Sequence, residues 1–517
     1  MLRDALSRIK PVHVEDCLGL HRVRPLARVG SIQVLNQVLG IGIGLIAAVV
    51  LSRLLPPSAF GLVAMVVFFR GLMQIFGASG FVEAAVQKKN LTLHQLNGVF
   101  WLNAGVCTLL ALIFIACAPF ISSFYGEPEL AAICLVYGLL FILENLFLTH
   151  SALLRRTMNS ELLLVLTFLP QVVGLIVSIA MALYGFEVWS IVGGTVLSSI
   201  AGRLLYLYFV RWNPGRLVKG TGFREIFSYG IKCSSATIVN YLSQYSQTLA
   251  LGRFASAAEV GLYNRGQTLF QIPIQQVSWP IAQLMLPALA SLQDDRHKML
   301  ELILRATWLV ALATLPFAVF MAIYGDWLLA WLLGAQWGVS GQVAQWLAVA
   351  SIPILISNLL ARGNAAIGRP GRGVIIVLLS LPFLLGGIYH YSPEGAIAVA
   401  KFYALYRWGI YPILIAYHLK GSGFNKRRFI RSQLQLLALS LCALLFLAIS
   451  RYHFLELIGL EQILLMVCAG LLAYFVFYLG FRHLAFGQVV LYWLYSKFGL
   501  KLGLPKSLFF KSNFPVS

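Results

Sequence analysis

Seven ionisable side chains interrupt stretches built otherwise from Leu, Ile, Val, Phe and Ala: Arg70, Glu144, Lys232, Arg265, Arg305, Lys401 and Arg407. A charge in an apolar stretch is costly and is retained where it meets a cargo or a partner. Six of the seven are basic. Guanidinium groups hold phosphates through charge-assisted, often bidentate hydrogen bonds, so this set suits an anion moving through a region without water. Arg70, Lys232, Arg265 and Arg407 are the candidate anion ligands. Arg305 and Lys401 lie within two turns of a segment end, where a long side chain reaches the interface instead. Glu144 has two readings: a coupling site for a proton or a sodium ion, or a buried partner for Arg70 or Arg407.

Uncharged amides add a second signal. Asn36 and Gln37, with Gln33, share one apolar segment, and Asn240, Gln244 and Gln247 recur at i, i+4 and i+7 in another. Asn264, Gln267, Gln271 and Gln275 form a stripe in a third, with Arg265, Gln276 and Gln283 beside it. A stripe at helical spacing must face protein or water, because lipid offers no partner. It either ties helices together or lines a wet cleft whose amides meet sugar hydroxyls. On the second reading Asn36, Gln37, Asn240, Gln244, Gln247, Gln271 and Gln275 are substrate contacts.

Other chemistries leave no signature. There is no G-x-x-x-x-G-K-[ST] phosphate loop, no H-E-x-x-H and no catalytic carboxylate pair. The basic run Gly368-Arg369-Pro370-Gly371-Arg372-Gly373 reads as a short turn. The seven cysteines make no C-x-x-C and lie mostly in apolar runs, which suggests packing and not disulfides or zinc. No metal or cofactor is expected beyond the proton or sodium ion considered for Glu144.

The elements that position these residues follow from composition. The chain has 517 residues, 59% hydrophobic and 11% charged, with a mean hydropathy of +0.82. Soluble domains are about a quarter charged, so a water-soluble enzyme is excluded. The apolar stretches are continuous, not alternating, which predicts helices and not barrel strands. At about 20 residues per span, the sequence predicts an all-α polytopic membrane protein of about fourteen helices. They are 30–52, 58–80, 96–118, 130–150, 161–184, 187–210, 226–250, 259–288, 300–324, 338–360, 372–390, 394–418, 432–450 and 460–481. Breakers separate many of them: Pro56-Pro57, Gly126-Glu127-Pro128, Tyr184-Gly185, Asn213-Pro214-Gly215 and Ser392-Pro393.

Charge placement tests that division. Alternate connections, beginning with the tail 1–29 and ending with the tail 482–517, carry 30 of the 39 Lys and Arg residues. Arg203, Arg211, Arg216, Lys219 and Arg224 are counted at one such edge. The opposite connections hold only Arg53, Arg253 and Arg451, against eight acids. Basic loops stay in the cytoplasm, so both termini are expected there. No signal peptide is evident in the tail 1–29. The net charge of +21 is thereby spread over separate cytoplasmic edges; attraction to anionic lipid accounts for it, and no nucleic-acid partner is expected.

An internal repeat refines the architecture. Leu51-Ser52-Arg53-Leu54 precedes Phe60-Gly61-Leu62, and Leu251-Gly252-Arg253-Phe254 precedes Val260-Gly261-Leu262, 200 residues later. Each copy falls at the outer turn of a helix pair, and both pairs run the same way. This predicts two six-helix halves, 30–210 and 226–418, followed by an added pair, 432–481. Parallel halves around a central site are a transporter architecture. Gly40, Gly42 and Gly44 suit close helix packing, and Pro273, Pro280 and Pro287 suit kinks or a hinge.

Ser52–Ala64, Gly80–Gln87, Glu259–Gln267 and Leu286–Asp295 resemble the bacterial polysaccharide transporters. The resemblance covers roughly residues 30–420. That family is the oligosaccharide flippase (Wzx-like) branch of the multidrug/oligosaccharidyl-lipid/polysaccharide (MOP) exporter superfamily. It implies a V-shaped pair of bundles in the bacterial inner membrane. It also implies an undecaprenyl-pyrophosphate-linked oligosaccharide as cargo, bound for exopolysaccharide, capsule or O-antigen (lipopolysaccharide) assembly. The implied partners are the bilayer and the polymerase and glycosyltransferases of the same pathway. Three alternatives stand beside it. A peptidoglycan-precursor flippase of the same superfamily is close. A multidrug exporter would rely on acids and aromatics for cationic substrates. A membrane polymerase or glycosyltransferase would need a sizeable aqueous loop.

Overall fold

The computed structural model describes residues 12–13, 26–77, 92–156, 159–215, 223–369 and 371–453; for 12–13, 26–30, 76–77, 223–236, 355–358 and 453 it describes the backbone path alone. The expected span 460–481, the tail 482–517, the Gly80–Gln87 motif and most of the tail 1–29 lie outside the described residues.

Helices occupy each of the first thirteen expected segments. They are α1 (Leu26–Leu54), α2 (Pro57–Gly77), α3 (Leu93–Tyr125), α4 (Glu129–Leu146, continued by a short helix Leu148–Arg156), α5 (Ser160–Leu183) and α6 (Val188–Phe209). Next come α7 (Phe223–Phe254), α8 (Ala257–Ala290), α9 (Arg296–Leu333), α10 (Gly338–Ala366), α11 (Gly371–Tyr391), α12 (Ala396–Leu419) and α13 (Lys426–His453). Among the described residues ten helices are long and apolar enough to cross a membrane, so this is a multi-pass membrane protein. The three that miss that standard, α7, α8 and α12, each carry candidate polar or basic residues.

Helices overrun the apolar windows because polar groups close their ends. Thr92 caps α3: its hydroxyl accepts the Gln95 N–H at 3.3 Å while the Gln95 side chain accepts the Thr92 N–H at 3.4 Å. At the far end Gly126 takes φ 74°, and its N–H donates to the Ser122 carbonyl at 2.9 Å. Asp295 caps α9, accepting from the His297 and Lys298 amides at 3.1 and 3.0 Å. The Lys298 amide, then its ammonium, hold the Asp295 carboxyl below its ordinary pKa. Among the described residues one pairing of strands occurs: Val12–His13 pairs in parallel with Val210–Arg211. The turn after α6 leaves backbone groups unsatisfied, and a second strand takes them.

The chain forms two compact units, 1–261 and 262–517. In unit 1, α5 and α6 cross at small residues, where a Cβ on Gly174 would stand 2.8 Å from the Gly194 carbonyl and one on Gly194 2.6 Å from that of Gly174. Lipid gives no hydrophobic drive between helices, so close backbone packing supplies the contact. Leu96, Phe100, Leu153, Leu154, Leu162, Tyr206 and Trp212 form an apolar core at one end of this unit. In unit 2, α9 packs on α10 through Gly325 and Gly341, and on α13 through the Trp308 indole N–H to the Ser432 hydroxyl at 2.7 Å. On the same α9–α13 face Arg451 pairs with Asp326 at 2.8 Å.

The repeat reappears as a reciprocal contact within unit 1. A Cβ on Gly61 would overlap the Ala257 carbonyl, and a Cβ on Gly261 would overlap the Pro57 carbonyl. Residues 57 and 61 thus meet 261 and 257: the same contact with the copies exchanged. The starts of α2 and α8 pack around a local two-fold, and glycine at both positions permits it. The Gly40-Gly42-Gly44 run behaves differently. Among the described residues a Cβ on Gly42 or Gly44 would meet nothing within 4 Å, so these two glycines mediate no close crossing there. Smallness allows an approach without requiring one.

Gly61→Ala and Gly261→Ala should each lower the stability of the purified protein by about 1–3 kcal/mol, the range for overpacking, whereas Gly42→Ala should not. Thermal unfolding in lipid nanodiscs measures this; equal stability in all three variants would remove the reciprocal contact as a constraint.

Candidate functional site

In unit 1, three helices bring charges together. Arg70 on α2 stands next to Gly71, where a Cβ would overlap the Tyr241 hydroxyl of α7. That hydroxyl donates to the Phe68 carbonyl at 2.8 Å, which holds α7 against α2. The Arg70 Nη2 donates to the Glu144 Oε2 on α4, with the two side chains 25% and 16% exposed. Oε1 of Glu144 accepts from the Ser199 hydroxyl on α6 at 2.8 Å. The Arg70 Cζ also lies 5.7 Å from the centre of the Tyr137 ring. One turn beyond Ser199 is Arg203, whose Cζ sits 5.8 Å from the Phe147 ring centre. Its charge lies within electrostatic reach of both Glu144 and Arg70. Its Nε is buried and meets no hydrogen-bond partner among the described residues.

Unit 2 holds its basic groups by other means. Nε and Nη2 of Arg407 on α12 donate to the Tyr403 hydroxyl at 2.9 and 2.6 Å, with Cζ 4.9 Å from that ring's centre. Tyr403 stands one turn before Arg407, so the helix itself presents the acceptor. Tyr263 on α8 is fully buried, and its electrostatic neighbours are Tyr403 and Arg407. Arg265 lies two residues further along α8 and is half-buried. Lys401 rests 5.8 Å from the Trp346 ring centre, and Arg305 pairs with Glu301 at 3.1 Å.

The amide candidates differ among themselves. Asn36 on α1 accepts from the Thr167 hydroxyl of α5 at 2.9 Å, which makes it a helix-to-helix contact. Gln37 is half-buried, Asn240 and Gln244 on α7 are exposed, and Gln247 is buried. On α8 the Gln275 amide donates to Gln271 at 3.3 Å, so the stripe is partly self-bonded. Lys232 lies on α7, and its side chain is outside the described ones. Among the described residues no group of three or more His, Cys, Asp or Glu is placed to hold a metal.

Sequence reading missed Arg203 and Ser199. Arg203 counts in sequence as a cytoplasmic-edge charge, six residues before α6 ends at Phe209. The available signal was its i+4 spacing from Ser199, which puts both on one face.

The sequence pattern of the family described as polysaccharide biosynthesis protein matches residues 50–342. The chain is 24% identical over 322 residues to the succinoglycan biosynthesis transport protein ExoT of Rhizobium meliloti, covering 61% of this chain and 64% of that one. Teichuronic acid biosynthesis protein TuaB of Bacillus subtilis is 23% identical, with 60% and 65% covered. Lipopolysaccharide biosynthesis protein WzxC of Escherichia coli is 22% identical, with 62% and 65% covered. The chain thus spans slightly less than two-thirds of each relative's length: 64%, 65% and 65%. In structure the chain resembles the lipid II flippase MurJ in an inward closed conformation, with a TM-score of 0.67 at 13% identity, covering 87% of this chain and 98% of that one. It also resembles an inward-facing MATE family multidrug transporter of the MOP superfamily, with a TM-score of 0.56 at 15% identity, covering 78% and 95%. These likenesses show the fold.

Breaking a buried ion pair by removing one partner costs about 3–5 kcal/mol, because a charge is left without compensation. Arg70→Gln and Glu144→Gln should each destabilise the protein by up to that amount, and the double variant by less than the sum. A double-mutant cycle in thermal unfolding reads the coupling; additive losses would show that the pair contributes nothing.

Proposed function

The chain belongs to the polysaccharide biosynthesis protein family, and from that membership we propose that it is a flippase for lipid-linked oligosaccharide repeat units. The cargo is an undecaprenyl-pyrophosphate-linked oligosaccharide. It moves from the cytoplasmic to the periplasmic face of the inner membrane, for exopolysaccharide, capsule or O-antigen assembly. Fourteen spans, two six-helix halves at 30–210 and 226–418, and cytoplasmic termini complete this reading.

The observation that carries it is the basic interior. Arg70 and Arg203 in unit 1, and Arg265 and Arg407 in unit 2, lie within helices, with Glu144 beside the first two. A polyprenyl pyrophosphate head is anionic, and guanidinium groups lower the cost of carrying it through a region without water. The isoprenoid tail stays in lipid while the head group passes. Named relatives serve succinoglycan, teichuronic acid and lipopolysaccharide synthesis, which favours a polymer repeat unit over a peptidoglycan precursor.

Transport without catalysis fits the connections. The outer links between described helices are residues 55–56, 126–128, 184–187, 255–256, 334–337 and 392–395. None has room for a catalytic domain. Coupling to a proton or sodium ion through Glu144 belongs to the same proposal, supported by its depth and its place between guanidinium groups.

Arg265→Ala should abolish surface polymer in a host dependent on this chain while membrane insertion stays normal; normal polymer in that variant would sink its role. Glu144→Gln should change the pH or sodium dependence of transport, and an unchanged dependence would remove the coupling role.

A further inference from the structure

Around Glu144 in unit 1 the described residues carry more positive than negative charge. Arg70 and Arg203 approach Glu144 from α2 and α6. Arg70 pairs with that carboxylate, whose other oxygen accepts from the Ser199 hydroxyl, and Arg203 stands one turn beyond Ser199 within electrostatic reach of it without an ion pair among the described residues. Among the described residues near Glu144 one positive charge is left over, and an uncompensated charge among apolar helices is expensive. Arg203 lies about 9 Å from the end of α6, at 1.5 Å per residue, close enough for its side chain to turn out to the interface. It turns inward instead: its Nε is buried without a partner among the described residues, and its guanidinium lies over Phe147.

Resting on the flippase reading above, we infer that Arg70 and Arg203 form a two-guanidinium clamp for the pyrophosphate group of the cargo, with Glu144 as the built-in anion that the cargo displaces. The carboxylate and the phosphate oxygens compete for the same Arg70 donors, both being anionic acceptors of charge-assisted bonds. Ser199 holds the carboxylate at Oε1, so Glu144 stays tethered near the clamp when its bond to Arg70 opens. A tethered internal anion keeps the resting site from trapping pyrophosphate too tightly for release. The same device lowers the cost of holding two like charges together in the membrane. Arg203 becomes a cargo ligand on this assignment, and Glu144 sets the affinity without touching the cargo.

The test uses the full-length protein in phosphatidylcholine nanodiscs with inorganic pyrophosphate as the probe, read by titration calorimetry. Removing the competitor with Glu144→Gln should tighten pyrophosphate binding about tenfold, which corresponds to about 1.4 kcal/mol. Adding Arg203→Gln to that variant should return the affinity to the wild-type level or below. Arg203→Lys, which keeps the charge but loses the fork, should fall between, and it serves where the glutamine variant does not fold. An unchanged or weaker affinity in Glu144→Gln, or an Arg203 change with no effect, overturns the clamp. Phosphatidylglycerol added at equal concentration should not displace the probe; displacement would mean a site for ordinary headgroup phosphate, and the assignment to cargo falls. The outcomes separate from those for transport. Identical affinities in a chain that still exports polymer refute the clamp alone, whereas the predicted ordering in a chain that exports none refutes the flippase reading alone.

Discussion

A polar group in hydrocarbon has no solvent to turn to, so the protein itself must supply its partner. The rest of this structure depends on that constraint. It makes the spans helical, because a helix satisfies its own backbone. It also turns each deep polar side chain into a contact between elements. The Trp408 indole N–H of α12 reaches the Val349 carbonyl of α10 at 3.0 Å, and buried Asn364 meets the His418 ring at 3.1 Å. Where side chains are small, backbones take over the contact, as at Gly174 with Gly194 and at Gly61 with Ala257.

The two units answer the same constraint differently for their basic groups. Unit 1 gives Arg70 a carboxylate, which neutralises it and couples its freedom to that of Glu144. Unit 2 gives Arg407 a phenol hydroxyl, which fixes the guanidinium without cancelling its charge. A neutral acceptor holds a cation in place and leaves it available to an anion; a carboxylate must first be displaced. One arrangement therefore presents charge continuously, and the other makes it conditional.

Much of this was legible from residue type and spacing. Apolar runs and breakers marked the helices, and the Leu-x-Arg…Gly-Leu echo marked the pair of turns that meet around Gly61 and Gly261. Arg70 and Glu144 were legible as a candidate pair, but Arg407 was an equally good partner for Glu144 on sequence alone. Arg203 read as an edge charge, since six residues from a helix end is compatible with one, and the positions of Phe147 and Glu144 add neighbours that spacing does not show. Gly42 and Gly44 differ in the opposite sense, since a missing side chain grants access that no neighbour among the described residues uses.

Sequence by itself determined the class of molecule, the course of the helices and the side expected to hold each loop. These depend on the preference of each short segment for lipid or water, which is a local sum over its own residues. Tertiary structure decided the partners: Arg70 with Glu144, 74 positions away, and Glu144 with Ser199, 55 positions away. Such pairs depend on distances between segments remote in the chain, and side-chain chemistry alone ranks several partners equally. Packing of α2, α4 and α6 selects among them, because an ion pair in hydrocarbon stabilises only when its groups are brought within hydrogen-bonding distance.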